Sequence, residues 1–395
     1  MRCPSRVLPL AISLFVTAGW ALTATAQYDY FVLDSHLAPP GPGALPTIND
    51  AGKVVYAYRH DFGGNDLETN VEGGSHSILY EGNFTPIGSF AVPVINSSDR
   101  VAFVAIISTG LGVFSGDGGA ITTIADRTGP LNSFDNGVDI NDSDTVVFYA
   151  LTDTTFDQQI LTGNGGAHTL IADNTGVFSQ LGVDPTISNA GTVVFWADTS
   201  QTGTSETGLY TGSGGAVTTL YDESGIFANL FGAPDINNSG EVGFKAQLDT
   251  GPTGLFRGNG GTPTAIVDDS GPYLGFSEFA MNDNGDFVFL ATLDATGVGS
   301  VGLYTGPDPG ADKVAAEGDI LGGVEIVQIV FFRGFNNNRD VVWGGFVDNG
   351  GTIESRVYLA RPLATAVPSL GGVGFAALAS VLGATAWLGL RRGRR

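Results

Sequence analysis

A chain of 395 residues with 59 glycines, 43% hydrophobic residues and only 14% charged ones can build one large all-β domain or two or three ordinary ones. Its 40 acidic and 17 basic residues give a formal charge of −23. That balance argues against a nucleic-acid partner, because phosphate neutralisation needs Lys and Arg. The single cysteine, Cys3, falls in an N-terminal targeting segment, so the mature body has no disulfide, thiolate nucleophile or thiolate metal site.

Met1 to Ala26 reads as a secretory signal peptide. Arg2 and Arg6 form the basic start, Val7 to Leu22 is mostly apolar, and Ala24-Thr25-Ala26 places small residues before a cleavage point at Gln27. A retained membrane helix fits less well, because the apolar run is short and broken by Pro9. With the arginines of the two ends set aside, the middle of the chain holds 11 bases against 40 acids. The plain reading of that charge is solubility and self-repulsion. The sharper one is divalent-cation binding.

From Gln27 to Leu363 the chain is repetitive. The unit is seen best in Met281-Asn282-Asp283-Asn284-Gly285-Asp286, which leads into an apolar strand ending at Phe289. Six stretches echo it, with Asn49/Gly52, Asn96/Asp99, Asn141/Asp144, Ser188/Gly191, Asn237/Gly240 and Asn336/Arg339 at the two key places. Successive Asn positions are 47, 45, 47, 49, 45 and 54 residues apart, and such a period means a solenoid, a propeller or an array. The Asn side chain can bond the backbone two residues on. Gly three places later takes positive φ without a Cβ penalty, and Asp is a tolerable substitute. Arg339 fits that place poorly, so its turn is expected to differ. The aromatic residue on the following strand should point into the core.

Each repeat then runs through an aromatic strand into a Gly-rich hairpin, as in Gly112–Gly119, Gly208–Gly215 and Gly254–Gly261. A third strand ends in Asp at Asp126, Asp173, Asp222 and Asp268, each 14 or 15 residues before the next Asn position. Asp34 stands 15 residues before Asn49, whereas nothing equivalent follows Arg356–Leu359. The opening segment therefore has what the last repeat lacks. Tyr30 to Leu33 should complete the seventh repeat and close a ring, removing exposed sheet edges. This makes the expected fold an all-β, seven-bladed propeller over residues 27–363. A β-sandwich array and an open β-solenoid are the other architectures such repeats allow. The stretches His60 to Gly74, Glu81 to Phe90 and Pro307 to Gly323 depart from the pattern and are the expected irregular or functional loops.

After a linker at 364–372, Val373 to Leu390 is uncharged and is followed by Arg391, Arg392, Arg394 and Arg395. This reads as a short C-terminal transmembrane helix over 373–395 with its basic end cytoplasmic, which leaves the propeller outside.

Two resemblances add to this reading. The tail, with Val367-Pro368-Ser369-Leu370, an apolar Gly/Ala-rich helix and arginines, resembles bacterial C-terminal sorting signals of the PEP-CTERM and IPTL-CTERM type. That likeness implies recognition by an exosortase-like membrane protease, with cleavage near Pro368 and surface attachment or release, while the N-terminal segment implies signal peptidase as the other processing partner. The repeats resemble the choice-of-anchor tandem repeat proteins with an N-x-x-G-x-x-[AV]-F pattern, most clearly at Asn49/Gly52, Asn237/Gly240/Phe244 and Asn282/Gly285/Phe289. No activity follows from it.

Reactive chemistry is scarce. His36, His60, His76 and His168 have no ligand-like spacing, and no G-x-S-x-G elbow is present. The oxygen-rich clusters Asp283–Asp286 and Asn141–Asp144 suit Asx turns, with calcium as the alternative. No cofactor is expected. The resulting expectation is a non-enzymatic, surface-anchored bacterial module that binds a polysaccharide or protein of the envelope or matrix. The alternative is an extracellular hydrolase or lyase whose carboxylates converge in the propeller channel.

Overall fold

The Asn turn recurs because it solves one local problem seven times. In each copy the Asn backbone closes a tight hairpin, as when the Gly285 N–H donates to the carbonyl of Asn282 at 2.9 Å. The fourth turn residue is left-handed throughout: Gly52, Gly191, Gly240 and Gly285 have φ of 74–81°, Asp99 has 66° and Asp144 has 61°. Arg339 does not distort its turn as its bulk suggests, for its φ is 63°. Its guanidinium forks onto Asp286 of the preceding blade at 2.6 and 2.7 Å. That bond offsets the cost of about 1 kcal/mol of holding a side chain in the left-handed region.

The computed structural model describes residues 28–37, 45–59, 65–71, 77–84, 92–107, 110–199, 206–293 and 300–363. The residues expected to form the signal cleavage site, Ala24, Ala26 and Gln27, those expected in the sorting signal, Val367, Pro368, Arg391 and Arg392, and the stretch 373–395 expected to be helical lie outside them. The described residues form seven antiparallel sheets. Each sheet is one blade. Blade 3 is typical: an inner strand Leu131–Ile140, a second strand Val146–Thr152, a third strand Gln158–Gly163 and an outer strand Thr169–Asp173.

Blade 7 is built from both ends of the body. Its inner strands come from Val324–Val330, Val341–Asn349 and Thr352–Pro362, and its outer strand is Tyr28–Leu37. The antiparallel register places Tyr28 opposite Pro362 and Val32 opposite Tyr358. The ring is therefore closed by the opening strand, as the missing outer strand of the last repeat predicts.

The core is divided among the seams. Seven apolar clusters each join two consecutive blades, including one between blades 7 and 1 that packs Val342 and Leu359 against Val54 and Tyr56. The aromatic of each second strand, Tyr56, Phe103, Phe148, Phe195, Phe244, Phe289 or Trp343, is fully or almost fully buried. Opposite it on the third strand stands a large apolar partner, such as Phe256 for Phe244 or Tyr358 for Trp343. Trp343 and Tyr358 stack at 4.3 Å.

Blade 1 departs from this rule: buried Glu68 faces Tyr56. The Tyr56 hydroxyl donates to Asp34 at 3.0 Å. Burial, with the Asp34 and Glu68 charges nearby, pushes its pKa well up.

Candidate functional site: the channel and its collar

Because every Asn turn ends an inner strand, seven turns gather around the mouth of the central channel. They bond to one another as well as to themselves. The Asn141 Oδ1 accepts the N–H groups of Ser143 and Thr145 in its own turn. Its Nδ2 donates across the seam to the carbonyl of Ser188 at 3.2 Å. Asn49, Asn96, Asn282 and Asn336 make the same step to the next blade, at 3.0–3.1 Å. The links from blade 4 to 5 and from 5 to 6 differ. Ser188 is too short to reach Asn237, and Asn237 turns its amide to Glu241.

A second ring lies one residue further along. The backbone N–H of Ser97 donates to Asp142 Oδ1, and the same step repeats from Asp142 to Asn189, Asn238, Asp283, Asn337 and Asp50, all at 2.8–2.9 Å. Only Asp50 to Ser97 is unlinked among the described residues, because a serine hydroxyl stands where the other blades hold a longer side-chain oxygen. Amide nitrogens strengthen the ring: Asn189 donates to Asp142 at 2.6 Å and Asn337 to Asp50 at 2.7 Å. Burial opposes ionisation of Asp142, but the donors from Ser97 and Asn189 outweigh it and hold its pKa below the usual value.

Two residues before four of the seven Asn positions, further side chains staple neighbouring blades. Thr47 and Thr186 hydroxyls donate to the carbonyls of Pro93 and Pro234. Asp139 and Asp235 accept the N–H groups of Ile187 and Met281 at 2.9 and 2.8 Å. The collar rings an open polar depression of about 210 Å³ lined by all seven blades.

Deeper in the channel the inner strands break. Blade 3 carries a bulge between Phe134 and Val138, and blade 6 one between Phe276 and Phe279. Blades 4 and 5 split their inner strands into two short pieces each. Ala233 and Arg333 are left-handed, with φ of 60° and 49°. Bulges and strained non-glycine backbone are where folds re-aim functional side chains.

Arg333 is aimed across the channel from blade 7. Its guanidinium donates to the carbonyls of Val138 at 3.5 Å and Asp184 at 3.3 Å, and lies 5.0 Å from the centre of the Phe332 ring. Four carboxylates feel its charge: Asp139, Asp184, Asp235 and Glu278. Burial raises the pKa of all four against that attraction, and pushes Asp235 up to about 6. Glu278 is raised first by burial and then by the Asp184 charge, against Arg333 and Lys245. Lys245 donates to the Phe276 carbonyl at 3.2 Å and sits over the Phe231 ring. Burial lowers its pKa while Glu278 opposes the shift.

The sequence-predicted turn residues Asn49, Gly52, Asn237, Gly240, Asn282 and Gly285 are thus brought together at one mouth. The oxygen clusters considered for calcium serve the seams: Asp283 accepts from Asn238 and Asn337, and Asp286 pairs with Arg339. Among the described residues no group of three or more His, Cys, Asp or Glu is placed to hold a metal ion. His168 donates from Nε2 to the Ile124 carbonyl of the preceding blade at 2.8 Å and meets Phe148 edge-on, a packing role. His60 and His76 lie outside the described residues. Sequence reasoning missed Arg333, Asp184 and Glu278, which sit at or beside irregularities between the repeat positions, and Lys245, which follows Phe244 on a regular second strand.

Fold and channel together define the class: a seven-bladed β-propeller closed by its own first strand, with a hydrogen-bonded collar above a charged waist. Within that class, the chain belongs to the family of unknown function DUF7453, whose model matches residues 42–342. No curated protein matches the sequence. Among solved structures it is similar to an oligogalacturonate lyase in complex with manganese (TM-score 0.53, 11% identity, 86% of this chain and 99% of that one). It is also similar to the oligogalacturonate lyase of Vibrio parahaemolyticus (0.53, 15%, 85% and 98%). The acylaminoacyl peptidase of Pyrococcus horikoshii aligns at 0.51 and 12%, over 84% of this chain and 52% of that one. At such identities the likeness is one of fold.

Proposed function

We propose that this chain is an exported, surface-anchored bacterial propeller that acts as a binding module for envelope or extracellular-matrix components, with the ligand entering the channel. The observation that carries the reading is the rigid collar over a waist where Arg333, Lys245, Asp184 and Glu278 share one field. A mouth already ordered by hydrogen bonds through its seams spends little binding energy on ordering itself. Export and anchoring rest on the signal-peptide and sorting-signal resemblances at the two ends of the chain, and the repeat pattern on its likeness to choice-of-anchor proteins. A glycan array and a pull-down from envelope extract, run with the parent protein and with Arg333→Gln and Glu278→Gln, test it. A retained ligand released by both substitutions supports the reading. No retained ligand, or one indifferent to them, refutes it.

A second reading is an extracellular hydrolase or lyase. It is favoured by one observation: the Asp184 charge acts on Glu278 inside the channel, and burial shifts each of the two toward holding a proton. A protonated and an ionised carboxylate in one site are the pair that acid/base cleavage requires. Depolymerisation of acidic and neutral polysaccharides by the parent protein, lost in Glu278→Gln, supports it. No product from any of them removes it.

A further inference from the structure

The face of the ring opposite the collar is made of two kinds of loop. One joins each outer strand to the next inner strand, and the other joins each second strand to its third. They lie side by side, for the Asp153 N–H donates to the Pro130 carbonyl at 2.8 Å and the Asp249 N–H to that of Ile226 at 3.0 Å.

The first kind repeats a small motif. An Asp carboxylate accepts both the N–H and the hydroxyl of the residue two on, at Asp126/Thr128, Asp173/Thr175, Asp222/Ser224 and Asp268/Ser270. This stiff turn holds up an apolar residue two positions further: Pro130, Val177, Ile226 or Pro272. Val177 is 69% exposed, Ile226 52%, Leu274 59%, Ile320 62% and Phe156 58%. These five belong to the same face: Phe156, Val177 and Ile226 stand in its loops, and Leu274 and Ile320 at the strand starts of blades 6 and 7. Single exposed hydrophobes need no explanation. Five large ones on one face, two of them held by the capped turns, are of the kind that marks an interaction surface.

Charge selects what covers it. The loop stretches 126–130, 153–157, 173–177, 222–226, 249–252, 268–272 and 317–320 contain eleven acidic residues and one base, Arg127. Of these acids Asp319 is paired with Lys313, at 2.7 Å. On the collar side pairing is general. There Lys53, Arg100, Arg257, Arg339 and Arg361 each pair with a carboxylate. A second copy of this chain would bring acid against acid. An anionic membrane or a nucleic acid would be repelled for the same reason.

We infer that this face docks a cationic polypeptide surface on which Lys or Arg side chains alternate with aliphatic or aromatic ones. The apolar residues would supply burial and the capped carboxylates would steer the approach and set the register. The inference goes beyond the channel reading and uses none of its residues.

The test uses the full chain, a helical Leu/Lys amphipathic peptide, an oligolysine of equal charge, and a Leu/Glu peptide, with titrations between low and physiological salt. The Leu/Lys peptide should bind at least tenfold more tightly than oligolysine, and the Leu/Glu peptide should not bind. The quadruple variant Val177→Ser, Ile226→Ser, Leu274→Ser, Ile320→Ser should lose at least tenfold for the Leu/Lys peptide while melting as the parent does. Leu170→Ser, at an exposed apolar residue on an outer strand, should change nothing. Asp222→Asn with Glu223→Gln keeps the apolar surface and should lessen the salt dependence. Equal affinity for oligolysine and the Leu/Lys peptide would show general polyelectrolyte attraction and overturn the proposal. An unchanged quadruple variant, or dimerisation of the parent that this variant abolishes, would overturn it too.

Discussion

Substituting Ser188 by Asn should stabilise the protein, and by an amount that can be worked out from the other blades. Ser188 occupies the one Asn position without an amide, is 3% exposed, and has the backbone bonds of its counterparts. Its hydroxyl reaches only the Thr192 carbonyl, at 3.4 Å. An Asn there should accept from the N–H groups of Ala190 and Thr192, as Asn141 does from Ser143 and Thr145, and donate to the Asn237 carbonyl. Three new bonds at about 1 kcal/mol each, less the weak serine bond and about 0.5–1 kcal/mol of side-chain ordering, leave about 2 kcal/mol. In urea this should move the midpoint by roughly 0.5 M with an unchanged slope. Ser188→Asp separates the parts: it can accept within the turn but cannot donate across the seam, so it should gain less than Asn. If Ser188→Asn unfolds at or below the parent midpoint, the view that the collar bonds add net stability is wrong.

Three further outcomes follow from the same structure. Ser97→Asn should close the second ring by offering an acceptor to the Asp50 N–H, raising stability by about 1 kcal/mol in the same urea assay. Asp235→Asn should stabilise above pH 6, on the order of 2 kcal/mol, because a carboxyl whose folded pKa is about 6 binds more protons folded than unfolded. Stability of the parent then falls as pH rises from about 4 through 6, so the advantage of the variant should vanish below pH 4 in melts taken across that range. Arg339→Ala should destabilise by about 1 kcal/mol, since it keeps φ of 63° and loses Asp286, whereas Arg339→Gly should recover most of that loss.

Much of the ring was legible because its repeat is strict. The aromatics at Tyr56, Phe103, Phe148, Phe195, Phe244, Phe289 and Trp343 mark the seams, and the misplaced strand before Asp34 reveals the closure. The collar was half legible. A local turn explains Asn141, but it does not require Asp50, Asp142, Asn189, Asn238, Asp283 and Asn337 one place later. That surplus of side-chain oxygens was the available signal for bonds between blades. The waist was not legible. Asp184, Glu278 and Arg333 stand beside bulges or breaks, where the repeat offers no aligned position, and their shared field depends on strands from three blades meeting at one axis. Arg339 misled for a related reason: its compensating partner, Asp286, lies 53 residues away.

The pairing of Tyr28 with Pro362 also constrains how the molecule comes into being. Synthesis delivers the clasp first and its receptor last, so a nascent chain must hold its leading β-segment in reserve while the other sheets mature. A ribosome that stalls before the final hairpin would release a necklace with an open catch. Tethering Tyr28 to Pro362 through a short loop and recutting the polypeptide between two interior blades would let that order be rewritten, and refolding rates of such permutants would report when the wheel becomes whole.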